Sequence, residues 1–228
     1  MLLVKAYIFT ADPSSFPDNS TTTTPVMEAV KIKCPYMILL LESYGADLTR
    51  TDNIGRNALH HAALGNDMAS CIILVGKNCP LDKRDDFGFT PLVLAIKRGN
   101  LEMVRYLVKS GAAVYPDNVP LHSMPLIAAT YFANIDILSF LLSVPETNER
   151  RKDMQMNYAL CLAVHISREP LVELLISEEA PLCRWNAGDI SPLDFAILDD
   201  MHEMASLLLA GGVNVNERDH FGYTPLMH

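Results

Sequence analysis

Several classes of function are excluded by what this 228-residue chain has little of. Basic residues are outnumbered, 18 Lys and Arg against 27 Asp and Glu, for a net charge of −9 and a pI near 5.2. Broad binding to nucleic acid or to an anionic membrane would need a basic face instead. The one short basic cluster, Arg150-Arg151-Lys152, is bordered by Glu146, Glu149 and Asp153 and reads as a solvated turn. Cys34, Cys71, Cys79, Cys161 and Cys183 form an odd set with no CxxC pair, which suits a reducing compartment and thiols serving as small apolar residues. No stretch approaches the roughly 18 apolar residues that span a bilayer. The apolar run Met1–Val4 is too short before Lys5 for a signal peptide, although Ala6-Tyr7-Ile8-Phe9 leaves a secretory reading open. The expected address is the cytoplasm, or the nucleus.

Catalytic constellations are missing as well. There is no Gly-rich phosphate loop, no GxSxG elbow and no kinase signature. His60 and His61 are adjacent but no HExxH surrounds them. Cys161 and His165 lie four apart on one expected helix, yet without a second pair at zinc-like spacing they read as a core thiol and a surface imidazole. Asp199-Asp200 falls at an expected turn with no nucleophile nearby. We expect no catalytic, metal or cofactor-binding residues.

What the chain does have is a period. Thr24-Pro25-Val26, Asn57-Ala58-Leu59, Thr90-Pro91-Leu92, Met124-Pro125-Leu126, Tyr158-Ala159-Leu160, Ser191-Pro192-Leu193 and Thr224-Pro225-Leu226 occupy one slot, spaced by 33, 33, 34, 34, 33 and 33 residues. Periods of this size mark repeat architectures, in which one unit cannot bury its apolar face alone and must stack on its neighbours. The period therefore predicts one elongated unit although the length allows one domain or two.

Residues 85–118 show the unit best. Asp85-Asp86-Phe87-Gly88 is a turn, Thr90 caps a helix and Pro91 fits its first turn. Leu92, Ala95 and Ile96 share one helical face, Gly99-Asn100 turns the chain, and Val104, Leu107 and Val108 form the stripe of a second helix stopped by Gly111. Asn66 and Asn78 replace those two glycines one repeat earlier, and asparagine tolerates the left-handed conformation. Ala133, Ser167 and Asp200 at the first turn, and Pro145 and Glu179 at the second, fit poorly and predict looser or differently shaped joints.

The best copies, Asp52-x-x-Gly55-x-Asn57-Ala58-Leu59-His60-x-Ala62-Ala63 and Asp85-x-x-Gly88-x-Thr90-Pro91-Leu92-x-x-Ala95, resemble the ankyrin repeat. The resemblance covers residues 19–228, with repeats near 19–51, 52–84, 85–118, 119–152, 153–185 and 186–218, a partial copy at 219–228, and an N-terminal segment, 1–18, outside it. It implies an all-α solenoid of stacked antiparallel helix pairs with protruding β-hairpin loops. It also implies a protein partner bound through loop tips and the exposed face of the first helices. Carried over residue by residue, the contact positions are Asn53, Ile54, Arg56, Leu64 and Gly65; Asp86, Phe87, Phe89, Lys97 and Arg98; Ser123, Tyr131 and Phe132. Met154, Gln155, Asn157 and His165 follow, then Trp185, Ile190 and Asp199, and finally His220, Phe221 and Tyr223. Asn216 matches a loop asparagine that is hydroxylated in some members of the family.

The aromatics at these tips stand out independently, because only 7% of the chain is aromatic. Phe87, Phe89, Trp185, Phe221 and Tyr223 read either as exposed anchors for a partner or as seals packed on the next repeat. The leading expectation is a non-catalytic interaction scaffold or adaptor. The alternative is the recognition segment of a larger protein, such as a ubiquitin-ligase adaptor, an ankyrin-containing kinase or a channel. That alternative draws on Leu226-Met227-His228, which stops inside the first helix of a new copy and would leave an uncapped face open to association.

Overall fold

A computed structural model describes residues 23–117, 119–146, 148–183, 191–218 and 221–227. Expectations for segment 1–18, Trp185, Ile190 and His220 therefore lie outside the described residues. The chain divides into two compact units, residues 1–113 and 114–228.

In the first unit, three helix pairs follow one another: α1 (Pro25–Lys31) with α2 (Pro35–Ser43), α3 (Ala58–Gly65) with α4 (Met68–Gly76), and α5 (Pro91–Lys97) with α6 (Leu101–Lys109). The caps are those the phrase predicts. Thr24, Asn57 and Thr90 each accept a hydrogen bond from the backbone N–H three residues on, at Met27, His60 and Val93. Helices of seven to nine residues are marginal alone, and burial supplies what propensity does not. Pro91, Leu92, Val93, Leu94, Ala95 and Ile96 are buried in succession, because α5 packs on α3 and on its own α6. Likewise α1 packs on α3, and α2 on α4.

The second unit repeats the plan with α7 (Pro125–Tyr131) and α8 (Ile135–Leu142), α9 (Glu149–His165) and α10 (Glu169–Ser177), and α11 (Pro192–Leu198) and α12 (His202–Ala210). The first helices pack in the order α7, α9, α11, and the second helices in the order α8, α10, α12. Single 3₁₀ turns precede α7 at Leu121–Ser123 and follow α12 at Pro225–Met227. No strand occurs among the described residues; the tips are hydrogen-bonded turns, closed by Asp52 N–H to Arg56 O and Asp85 N–H to Phe89 O, both 2.9 Å.

The joints correct the sequence reading. Asn66, Asn78, Gly99 and Gly111 are left-handed as expected, but so are Ala133 (φ 53°), Ser167 (φ 53°), Asp200 (φ 55°) and Glu179 (φ 61°). Ala133 N–H reaches Thr130 O and Asn134 N–H reaches Ala129 O, both 3.0 Å, matching Gly99 to Ile96 and Asn100 to Ala95. These paired bonds close every such joint and override the ~1–2 kcal/mol that a Cβ costs in this conformation. Ala133→Gly should therefore stabilise the second unit. Relief of that strain, offset by the ~0.5–1 kcal/mol of extra chain entropy glycine loses on folding, leaves a gain of about 0.5–1 kcal/mol in urea unfolding.

Pro145 marks the one joint that does change shape. After Val144 N–H bonds Leu141 O, the chain enters α9 under an Asn148 cap, and α9 runs for 17 residues. The slot filled by Gly55, Gly88 and Gly222 elsewhere holds Met156, which is buried. The expected loop at 153–157 is instead helix, with Gln155, Met156 and Asn157 buried; His122, which also stands in place of the glycine, lies in a single 3₁₀ turn. The basic cluster is accordingly the first turn of α9 and not a solvated turn. Arg151 bridges Asp117 at 2.6 Å and Glu146 at 3.6 Å, while Lys152 donates to Leu142 O.

Candidate interaction surface

The two tips described in the first unit are each organised by one carboxylate. Asp52 Oδ1 accepts from Ile54 N–H at 3.1 Å and from Arg56 N–H at 2.9 Å, and its Oδ2 meets His61 Nε2 at 2.9 Å. Asp85 Oδ1 accepts from Phe87 and Phe89 N–H at 3.1 and 2.9 Å, and its Oδ2 from Arg56 Nε at 2.9 Å. Asp86 N–H donates to Ile54 O at 2.9 Å, so the two tips are joined through the main chain. Gly55 sits at that junction with φ +76°; a Cβ there would lie 2.7 Å from Asp86 Oδ1 and 3.1 Å from its backbone N. Only glycine lets the tips approach this closely.

The aromatics stand on this frame. Phe87 is 56% exposed, stacks on Phe89 at 6.5 Å and has the Arg56 guanidinium 6.0 Å from its ring. Phe89 is half-buried, with Lys97 Nζ 5.9 Å from its ring, which brings the end of α5 back toward the tip. Arg98 is exposed and Ile54 half-buried beside them. Ile54, Arg56, Phe87, Phe89 and Lys97 thus come together, and Arg98 flanks them.

His60 lies beneath the same frame. Its Nδ1 accepts from Asn57 N–H at 3.1 Å, which leaves the proton on Nε2, donated to Phe89 O at 3.1 Å. Burial pushes its pKa down to about 4. Burial also lowers His61, against the opposing pull of Asp52. Burial raises the thiols of Cys71 and Cys79 to about 12 and 11, so both are protonated and unreactive at neutral pH. His60 is a structural tie between repeats.

The second unit presents separate features. Tyr131, 64% exposed, meets Phe132 edge-on at 5.1 Å at the end of α7. Phe221, 71% exposed, lies 6.3 Å from Tyr223, which is also exposed. His165 is exposed and 3.5 Å from Asp199, while Cys161 is buried. Asn216 is exposed and donates its N–H to Asn214 Oδ1. Three carried-over contact positions are buried: Ser123, Gln155 and Asn157. Gln155 and Asn157 are on α9 rather than a tip, and Asn157 Nδ2 donates to Pro181 O and Cys183 O, both 2.7 Å. Among the described residues no three His, Cys, Asp or Glu side chains converge as a metal site, and no helix is long and apolar enough to cross a membrane.

Known proteins agree with this architecture. A family model described as ankyrin repeats (3 copies) matches residues 26–118 and 65–153, together more than half of the 228 residues, and the chain belongs to the ankyrin repeat family. It is similar to the glycerophosphocholine phosphodiesterase gde1 of Schizosaccharomyces pombe, 30% identical over 148 residues that cover 63% of this chain and 13% of that protein. It is also similar to the ankyrin repeat protein FPV018 of fowlpox virus (strain NVSL), 25% identical over 207 residues, 87% of this chain and 27% of the relative. The human ASB11 ankyrin repeat domain superposes with a TM-score of 0.69 at 21% identity, over 90% of this chain and 91% of that one, a likeness of fold. The chain spans 13% and 27% of the length of the two relatives. Ankyrin repeats generally mediate protein–protein interaction, and the fold is typically non-catalytic.

Proposed function

We propose that the chain is a non-catalytic interaction module that binds a protein partner through the joined tips of the first unit, with Phe87 as anchor. The observation that carries this reading is a large apolar side chain held 56% exposed on a turn whose backbone is fixed by Asp85. A preorganised exposed aromatic loses little entropy on binding, which is the usual physics of an interface hot spot. Ile54, Arg56, Phe89 and Arg98 complete that surface. Tyr131, Phe132, Phe221 and Tyr223 form further contact sites on the second unit, Trp185 and His220 remain contact positions by the repeat register alone, and Asn216 is a candidate hydroxylation site.

Phe87→Ala should reduce partner recovery in a pull-down at least about tenfold, the loss of one hot-spot side chain, with circular dichroism unchanged. Undiminished recovery with both Phe87→Ala and Phe221→Ala would sink the tip surface. The lengths of the relatives support a second reading, in which this array is the recognition segment of a larger adaptor, kinase or channel.

A further inference from the structure

We propose that the tip face of the first unit takes an acidic protein segment, with an apolar side chain against Phe87 and carboxylates reaching the basic ends of α1 and α5. This deepens the interaction reading above and rests on it. The charge of the chain is divided unevenly: residues 1–113 carry 12 Lys and Arg against 11 Asp and Glu, and residues 114–228 carry 6 against 16. The net charge of −9 is therefore +1 in the first unit and −10 in the second.

Within the first unit the two tip carboxylates are turned inward. The side chains of Asp52 and Asp85 are 4% and 0% exposed, their oxygens taken by backbone N–H groups, His61 and Arg56. Of the exposed acids near this face, Glu28 is held by Lys31 and Thr23, Asp47 by Thr49, and Asp82 accepts from Ala113 N–H; Asp86 stands at the tip. Lys33 just after α1, and Lys97 and Arg98 at the end of α5, are exposed; Lys31, also exposed, already pairs with Glu28 at 2.9 Å.

Two of these cations share a register. Lys31 and Lys97 occupy one repeat slot, which holds Tyr131, His165 and Leu198 in the second unit; the slot of Arg98 holds Phe132, Ile166 and Asp199 there. Lysine or arginine in these two slots occurs only in the first unit, at Lys31, Lys97 and Arg98, with Leu64 and Gly65 in the repeat between. The charge of Lys31 is felt at His61, which bonds the tip carboxylate Asp52, and Lys97 lies over Phe89. Two steps at ~10 Å per packed helix separate Lys31 from Lys97, about 20 Å. An extended segment of about six residues spans that distance. Charge complementarity would steer such a segment to the first unit and away from the second.

Panning a random 12-residue phage-displayed peptide library on the full chain tests this. The expected pool is net negative and carries an aliphatic or aromatic residue. Its enrichment should fall at least about tenfold on Lys97→Glu/Arg98→Glu and on Phe87→Ala, and fall as salt rises from 0.05 to 0.3 M. The substituted side chains are exposed, and circular dichroism checks folding. A neutral or basic pool, no enriched pool, or an acidic pool that the charge reversals leave intact overturns the acidic partner. A pool of any charge lost on Phe87→Ala still leaves the tip surface standing, whereas one indifferent to both Phe87→Ala and Phe221→Ala overturns that as well. A fluorescein-labelled twelve-residue oligothymidine binding as tightly as the enriched peptides would replace the protein segment by a general polyanion.

Discussion

Replacing His60 by alanine should lower the stability of the first unit by about 3–4 kcal/mol. The imidazole accepts from Asn57 N–H, donates to Phe89 O and is fully buried. Its removal leaves a donor and an acceptor unsatisfied, at ~1–3 kcal/mol each, and opens a void in a packed interior. The same residue makes the unit acid-sensitive. Its pKa is about 4 in the folded chain and 6.5 when unperturbed, so between those values the unfolded state binds the extra proton. The contribution is present in full above pH 6.5, falls as the pH drops toward 4, and amounts to about 3 kcal/mol at 1.36 kcal/mol per unit. His61, also lowered, adds in the same direction. Urea midpoints at pH 7 and 4.5 check both claims: the wild type should lose much of its stability and His60→Ala should lose less. Equal losses in the two proteins would remove His60 as the cause.

Asn157→Ala should cost the second unit about 2 kcal/mol and leave partner binding at the proposed tip surface of the first unit unchanged. Two carbonyls, Pro181 O and Cys183 O, depend on the Asn157 amide at 2.7 Å. Each lost bond removes ~1 kcal/mol where water can partly replace it. Asn57 makes a similar tie to Pro80 O at 3.0 Å in the first unit. Thermal unfolding separates this from a contact role, under which stability would not move and recovery of the partner would.

The phrase that repeats every 33 or 34 residues carried most of the fold, because each of its residues has a local task. Thr90 caps, Pro91 starts the turn and Leu92 enters the core, and Thr24-Pro25-Val26 and Ser191-Pro192-Leu193 do the same. Two things were illegible for the opposite reason. Ala133, Ser167, Glu179 and Asp200 are poor left-handed residues by intrinsic preference, and only tertiary closure holds them there. The extension of α9 leaves no signal in that slot, because His122 replaces the same glycine without forming an α-helix, so residues 153–157 read as one more degenerate tip. At the surface, the register picked out Phe87, Arg56 and Phe89, and the structure brings them together. The role of Asp52 and Asp85 was visible only as the first letter of Asp-x-x-Gly. What those carboxylates bind became clear from three-dimensional geometry, since one of their partners lies in the preceding repeat.

Asp52 and Asp85 close their turns almost wholly through main-chain N–H groups, which every residue except proline possesses. Ile54 and Phe87 contribute only their amide to that closure, so their side chains are not constrained by the construction of the loop. On the proposed tip surface, recognition can consequently drift one side chain at a time, with the turn beneath each new side chain already built.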